Sequence, residues 1–252
     1  MTQHHLALGT GGDAGFTGYF RSGVVSGDAD HSHDDTPNAS SAGRARRPAL
    51  IVLQEIYGVN DEVRRVVDAY AAVGFNVLAP DLLWRVKPGL VFDYAERDAA
   101  REAIGRLDTA QIALDIEQSA RVLAQHGAGS DRIGILAFGW GGQHALSAAR
   151  NQGFHAVASY YPGSLAPHID TAAQIEAPLL FHLSTVDFRT PLELRGDLRR
   201  ALAQRDDVEI YSYGDVDHGF ANQARPEYAR AAATLADART VDFLKRHLER
   251  SV

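Results

Sequence analysis

The chain has 252 residues, a formal net charge of -7 from 25 basic and 32 acidic side chains, and no cysteine. This length allows a full α/β core, and the acidic balance leaves no electrostatic footprint for nucleic acid or an anionic membrane. Without cysteine there is no disulfide, no thiolate metal site and no thiol nucleophile. The N-terminal MTQHHLALGTGGD is neither basic nor followed by an apolar run of signal length, and no window approaches the roughly 18 apolar residues of a membrane span. A soluble cytoplasmic protein is the expectation.

Residues 5–9 and 16–22, separated by the glycine-rich TGGDAG, predict an opening β-hairpin. Residues 26–47 bring Ser, Asp, His, Asn and Gly with almost no large apolar side chain, and predict an exposed loop inserted into a single domain. His31 and His33 lie there among Asp28, Asp30, Asp34 and Asp35, a composition that suits a solvated acidic loop better than a metal site. PALIVLQ at 48–54 reads as a strand buried on both faces. Asn60 or Asp61 then caps a helix running to about Gly74, and FNVLAP at 75–80 is the next buried strand, so the three together predict a βαβ unit and a parallel sheet.

A loop at 81–89 carries Trp84 and Arg85, and helices are predicted over 94–106 and 109–127. The run DRIGILAFGWGGQHAL at 131–146 predicts a strand, a sharp elbow and a helix. Strands at 156–161, 178–183 and 208–213 then alternate with helices at 169–175, 192–205 and 226–248. Such alternation predicts a doubly wound sheet, whose ligands gather at the carboxyl ends of the strands.

The polar or special residues at those ends are Glu55, Arg85, Gly139, Tyr160 or Tyr161, Asp187 and His218. Elbow, acid and histidine follow the chain order of α/β-hydrolase triads. An elbow is written G-x-Nuc-x-G because its neighbours must be small, and here the frame is Ala137, Phe138, Gly139, Trp140, Gly141. The small flanks are kept and the reactive side chain is absent. Each residue also has a plain structural reading. The glycine cluster equally suits an ordinary turn, Glu55 can pair with Arg85, and Asp187 can cap the helix from Leu192, although Thr190 and Pro191 cap it better. His218 also fits a solvated loop, Arg85 a surface position, and Trp84, Tyr160 and Tyr161 a core or rim.

Taken together the motifs resemble the dienelactone hydrolase, or carboxymethylenebutenolidase, family. VLQEIYGVN at 52–60 resembles the family's Q-E-[IV]-[FY]-G-[LV]-N, and APDL at 79–82 with Arg85, Pro88 and Gly89 is similar to P-D-L-y-x-R-x-x-P-G. STVDFRTP at 184–191 resembles the segment that supplies the acid, and DHGFAN at 217–222 the H-G-F block. The resemblance implies an α/β-hydrolase fold with a mostly parallel sheet, and hydrolysis of a small carboxylate-bearing ester or lactone by a Cys–His–Asp triad, with no cofactor and no metal, in a monomer or homodimer. It implies that Asp187 orients the imidazole of His218, the general base. Glu55 would stand beside the nucleophile, backbone N–H groups of Ile56 and Trp140 would form the oxyanion hole, and Arg85 would hold a substrate carboxylate. Trp84, Tyr160 and Tyr161 are candidate substrate contacts.

The family elbow reads G-[FY]-C-[FLW]-G-G against AFGWGG here, which puts Gly139 at the cysteine position. No acyl-enzyme can form on glycine. Three readings follow: hydrolysis altered by the missing nucleophile, non-hydrolytic proton transfer by His218, Glu55 and Arg85, or ligand binding without turnover.

Overall fold

The computed structural model describes residues 5–23, 47–126, 128–151 and 153–249, with the side chains of 128–131 outside that description. The predicted 26–47 loop, with His31 and His33, therefore lies outside the described residues apart from Arg47. Strands β1 (His5–Ala7) and β2 (Thr17–Arg21) form the predicted antiparallel hairpin. They are followed by β3 (Arg47–Leu53), α1 (Asp61–Ala72), β4 (Asn76–Pro80), α2 (Arg97–Gly105), α3 (Thr109–Gln125), β5 (Ala128–Phe138) and α4 (Gly141–Asn151). The chain continues through β6 (Val157–Tyr160), α5 (Ile169–Ala173), β7 (Leu179–Ser184), α6 (Leu192–Ala201), β8 (Val208–Tyr213) and α7 (Arg230–Leu248).

One eight-stranded sheet runs β1-β2-β4-β3-β5-β6-β7-β8. β2 pairs antiparallel with β4, and every pairing from β4 to β8 is parallel. The β3–β5 register shifts between Arg47 and Ala49, at Pro48, whose missing N–H cannot serve a central ladder. Period-two alternation in β3 divides the core. Ala49, Ile51 and Leu53 face one layer with α3, α4 and α6, while Leu50 and Val52 face the other with α1 and α7.

Helix starts follow the local chemistry. The Asn60 side chain accepts from Val63 N at 3.1 Å to begin α1, and Asp108 accepts from Ala110 N at 2.7 Å to begin α3. Two predicted helices start late. α2 begins at Arg97, after a turn in which Ala95 N donates to Asp93 Oδ1 at 2.8 Å and the Tyr94 hydroxyl accepts from Asn60 Nδ2 at 3.0 Å. α7 begins at Arg230, after a turn in which Ala229 N bonds Phe220 O at 2.9 Å.

The position of the site follows from the topology. After β4 the chain crosses back over β3 to form β5, so the carboxyl ends of β3 and β5 lie side by side at the point where strand order reverses. Glu55 follows the first and Gly139 the second.

Candidate active site

β5 ends at Phe138 and α4 begins at Gly141, which leaves Gly139 and Trp140 to make the reversal. Gly139 has φ +51°, in the left-handed region. Its N–H bonds Tyr160 O at 3.1 Å, and its carbonyl accepts from Gly142 N at 3.0 Å and Gly163 N at 2.8 Å. Gly141 is required for close approach: a Cβ there would fall 2.8 Å from the carbonyl oxygens of Leu53 and Gln54. The elbow is thus pressed against the end of β3, where the glutamate is.

A Cβ built on Gly139 would lie 3.4 Å from His218 Nε2, 3.4 Å from Glu55 Cγ and 3.5 Å from Glu55 Oε1. The space next to Gly139 is therefore bordered by the His218 imidazole and the Glu55 side chain. On the far side of the imidazole, Nδ1 is 2.8 Å from Asp187 Oδ2. Asp187 follows β7 and His218 follows β8, adjacent parallel strands, so the pairing comes directly from sheet order.

Asp187 is fully buried, yet it also accepts from Arg189 N at 2.9 Å and Arg189 Nη1 at 3.2 Å. Burial works against its ionisation, but the hydrogen bonds and charge of His218 and Arg189 outweigh it and hold the carboxyl below its usual range. It is no helix cap: α6 starts after Pro191 with no side-chain cap, and the Asp187 carboxylate is spent on His218 and Arg189.

Glu55 is buried and takes its partners from the C-terminal part of the chain. Asn222 Nδ2 donates to Oε2 at 2.7 Å and Arg225 Nη1 to Oε1 at 3.2 Å. Arg225 also reaches Glu227 at 3.2 Å. Burial disfavours its charge, but Glu55 and Glu227 more than offset that and raise the guanidinium above its ordinary value. Gly219, φ +91°, makes this possible, because a Cβ there would fall 2.7 Å from Arg225 Cζ. The glycine after the histidine thus gives passage to the cation that holds the glutamate. Neither Asn222 nor Arg225 is marked as a site residue by local sequence, since their role depends on a contact across more than 160 positions.

The backbone N–H groups of Ile56 and Trp140, the predicted oxyanion hole, donate to no acceptor among the described residues. Both residues line a cavity of about 470 Å³ together with Glu55, Gly163 and His218. Trp140 N–H also lies at the N-terminus of α4, where the helix dipole favours developing negative charge.

The aromatic and arginine expectations divide. Arg85 is not at the cavity. It pairs with Asp115 of α3, bonds Gln111 at 3.2 Å and lies 4.3 Å from the Trp84 ring centroid. Trp84 stacks on Phe16 at 5.5 Å and gives its indole N–H to Asp115 at 3.0 Å. The physical reason is Asp115: burial pushes its carboxyl up, and the side chains of Arg85 and Trp84 oppose this with hydrogen bonds.

Tyr160 is likewise a core residue, its hydroxyl 2.9 Å from Asp237 and 2.7 Å from Thr240. Tyr161, φ +37°, packs edge-on against the His218 ring at 5.0 Å, and its hydroxyl has no hydrogen-bond partner among the described residues. The arginines that do line the cavity are Arg97 and Arg101 of α2, with Arg189 and Arg225. The first two are four residues apart on one helix face, a spacing readable from sequence, and neither is in an ion pair among the described residues. No cluster of three or more His, Cys, Asp or Glu among the described residues could hold a metal, and no described helix is long and apolar enough to cross a membrane.

The dienelactone hydrolase family profile matches residues 36–248. The chain belongs to that family. Among curated relatives, an Azospirillum brasilense protein named "Putative carboxymethylenebutenolidase" is 33% identical over 221 residues, covering 83% of this chain and 92% of its own length. A carboxymethylenebutenolidase of Pseudomonas sp. strain P51 is 28% identical over 206 residues, covering 81% of this chain and 86% of the relative. Among solved structures, a Klebsiella pneumoniae protein described as "Putative Dienelactone Hydrolase" superposes with a TM-score of 0.79 at 23% identity, covering 97% of this chain and 98% of that one. This dienelactone hydrolase family member therefore has the α/β-hydrolase fold, and within it Gly139 lies in the turn between β5 and α4.

Proposed function

We propose that this protein hydrolyses a small carboxylate-bearing ester or lactone by direct attack of water, with no acyl-enzyme. The observation that carries the reading is the relation of His218 to Gly139: Nε2 faces the elbow position at 3.4 Å while Nδ1 is tied to Asp187 at 2.8 Å. A water seated beside Gly139 would lie within reach of both Nε2 and Glu55 Oε1. His218 takes its proton as the oxygen adds to the carbonyl carbon. The N–H groups of Ile56 and Trp140 take the charge that develops on the carbonyl oxygen. Collapse then expels the alcohol or enol oxygen, which receives the proton from His218. Asp187 keeps the imidazole in the tautomer this needs and stabilises it when charged. Arg97 and Arg101 supply the positive charge for a substrate carboxylate at the cavity wall, the role that sequence analysis assigned to Arg85.

The test pairs the protein as it is with Gly139→Cys, using an activated aryl ester that carries a carboxylate. The protein with Gly139 should turn over without a burst, without a covalent adduct in the intact mass, and with isotope from labelled water in the released carboxylate. Gly139→Cys should show a burst and an acyl adduct. An unlabelled isomer as product would replace this reading with proton transfer between Glu55 and His218. Substrate bound and recovered unchanged would replace it with a binding protein.

A further inference from the structure

Tyr161 borders the site but takes no part in the chemistry proposed above. It is 1% exposed, its ring packs edge-on against His218 at 5.0 Å and Phe220 at 5.5 Å, and its hydroxyl has no hydrogen-bond partner among the described residues. Its backbone holds φ +37°, a conformation L-residues seldom adopt, so the ring is kept in this place at a cost. A buried hydroxyl that bonds nothing also keeps the full cost of its lost hydration. Phenylalanine would fill the same position without that second cost.

The surroundings of the hydroxyl can supply a partner. Tyr161 lines a small cavity with Glu55, Asn60, Glu62 and Asn222, in which about 20 Å³ is open to the centre of a water-sized molecule. That is room for one water, which needs two to four polar partners when buried. Glu62 is already taken by Arg65 and Gln223 N, and the Asn222 amide by Glu55, Tyr94 and Ala224 N. Glu55 has spare capacity: among the described residues Oε2 accepts from Asn222 alone and Oε1 from Arg225 alone, whereas each carboxylate oxygen can accept two bonds. Burial pushes the Tyr161 hydroxyl well above its ordinary range and the charge of Glu55 adds to this, so it stays protonated and able to donate.

We propose that a single water bridges the Tyr161 hydroxyl to the Glu55 carboxylate in this cavity, and that through it Tyr161 is a positioning residue for ester hydrolysis. The hydroxyl donates to the water and the water donates to Glu55, a link nearly as favourable as a direct bond. Asn222, Arg225 and the water then fix the carboxylate by three bonds instead of two, with Oε1 kept 3.5 Å from the Cβ position of residue 139. The effect on rate rests on the hydrolytic reading. The water site itself does not.

The experiment takes crystal structures of the protein and of Tyr161→Phe at a resolution that shows ordered water, and compares their melting temperatures and their turnover of mono(para-nitrophenyl) terephthalate. The expected result is density for a water within hydrogen-bond distance of Tyr161 Oη and a Glu55 oxygen, lost or weakened in the variant. Tyr161→Phe should melt about 2–4 °C lower, because a bonded hydroxyl has been removed. Its kcat should fall roughly tenfold with KM unchanged, because Glu55 turns more freely while Arg97 and Arg101 are untouched. A melting temperature that rises with no density at the hydroxyl, or a direct bond from the hydroxyl to Glu55, would overturn the water site. An unchanged kcat in the variant while hydrolysis proceeds would overturn the positioning role. If the unaltered protein cleaves no ester, the hydrolytic reading fails and the positioning role with it, and the density at Tyr161 still decides the water site.

Discussion

Adjacent tyrosines pack against two histidines of opposite character. Tyr160 lies 4.4 Å from the His182 ring and Tyr161 lies 5.0 Å from the His218 ring. His182, within β7, is fully buried and has both nitrogens engaged, Nδ1 with Tyr213 Oη and Nε2 with Thr240 Oγ1, each at 2.8 Å. Burial, helped by the charge of Arg239, pushes its pKa down to about 3. It is neutral at any ordinary pH and has no nitrogen to offer. His218, just past β8, has one nitrogen on a buried carboxylate, and the other is directed at the elbow. What fits His218 for the general-base role proposed above is a charged partner on one side and a nitrogen facing the elbow on the other. Closeness to the site is not enough.

The sharpest way to break this contrast is to remove each ring in turn. His218→Ala should lower kcat/KM for ester cleavage by roughly a hundred- to ten-thousand-fold, the usual share of a positioned general base, with a smaller loss of stability than at 182 because Arg189 still holds Asp187. His182→Ala should do the reverse. It takes one hydrogen-bond partner each from the hydroxyls of Tyr213 and Thr240 and opens a cavity in the core, and should cost about 2–4 kcal/mol of stability, read by denaturant unfolding. A variant at 182 that folds normally but has lost catalysis would overturn the division of roles.

Acid unfolding sharpens the same comparison. The folded-state pKa of His182 is about 3 and that of His144, also lowered by burial, is about 4, against 6.5 for both when exposed. A depressed folded value means that the unfolded chain takes the proton first. The stability each ring contributes is therefore complete above 6.5 and is lost as pH falls through the window down to about 3 and about 4. Each should steepen the decline by about 1.4 kcal/mol per pH unit within its window. Asp187 acts with the same sign, its depressed carboxyl adding stability above its unfolded value and losing it below. His182→Gln should flatten the low-pH limb of the stability curve, while His218→Ala removes the partner that holds Asp187 ionised.

The smallest effect belongs to the cavity wall. Arg97→Ala or Arg101→Ala should each raise KM for a carboxylate-bearing ester by about tenfold with kcat nearly unchanged, and should leave a neutral ester unaffected. Arg85→Ala should instead register in stability, because it leaves the buried Asp115 with Trp84 as its remaining side-chain donor.

Local sequence determined the strands, the elbow and the order of acid and histidine. In a parallel sheet a residue just past a strand arrives at the same edge whatever the side chains do later. That is why Glu55, Gly139, Asp187 and His218, far apart in the chain, could be placed together from alternation alone, and why the glycines at 139 and 141 could be read as a turn that must stay small. Tertiary structure decided which charge meets which. Arg85 is claimed by Asp115, Glu55 is held by Asn222 and Arg225, Tyr160 is drawn into the core by Asp237 and Thr240, and two of the cavity's arginines come from α2. Ion pairs and hydrogen bonds depend on separations of a few ångströms between distant segments, and no periodicity in the chain encodes them.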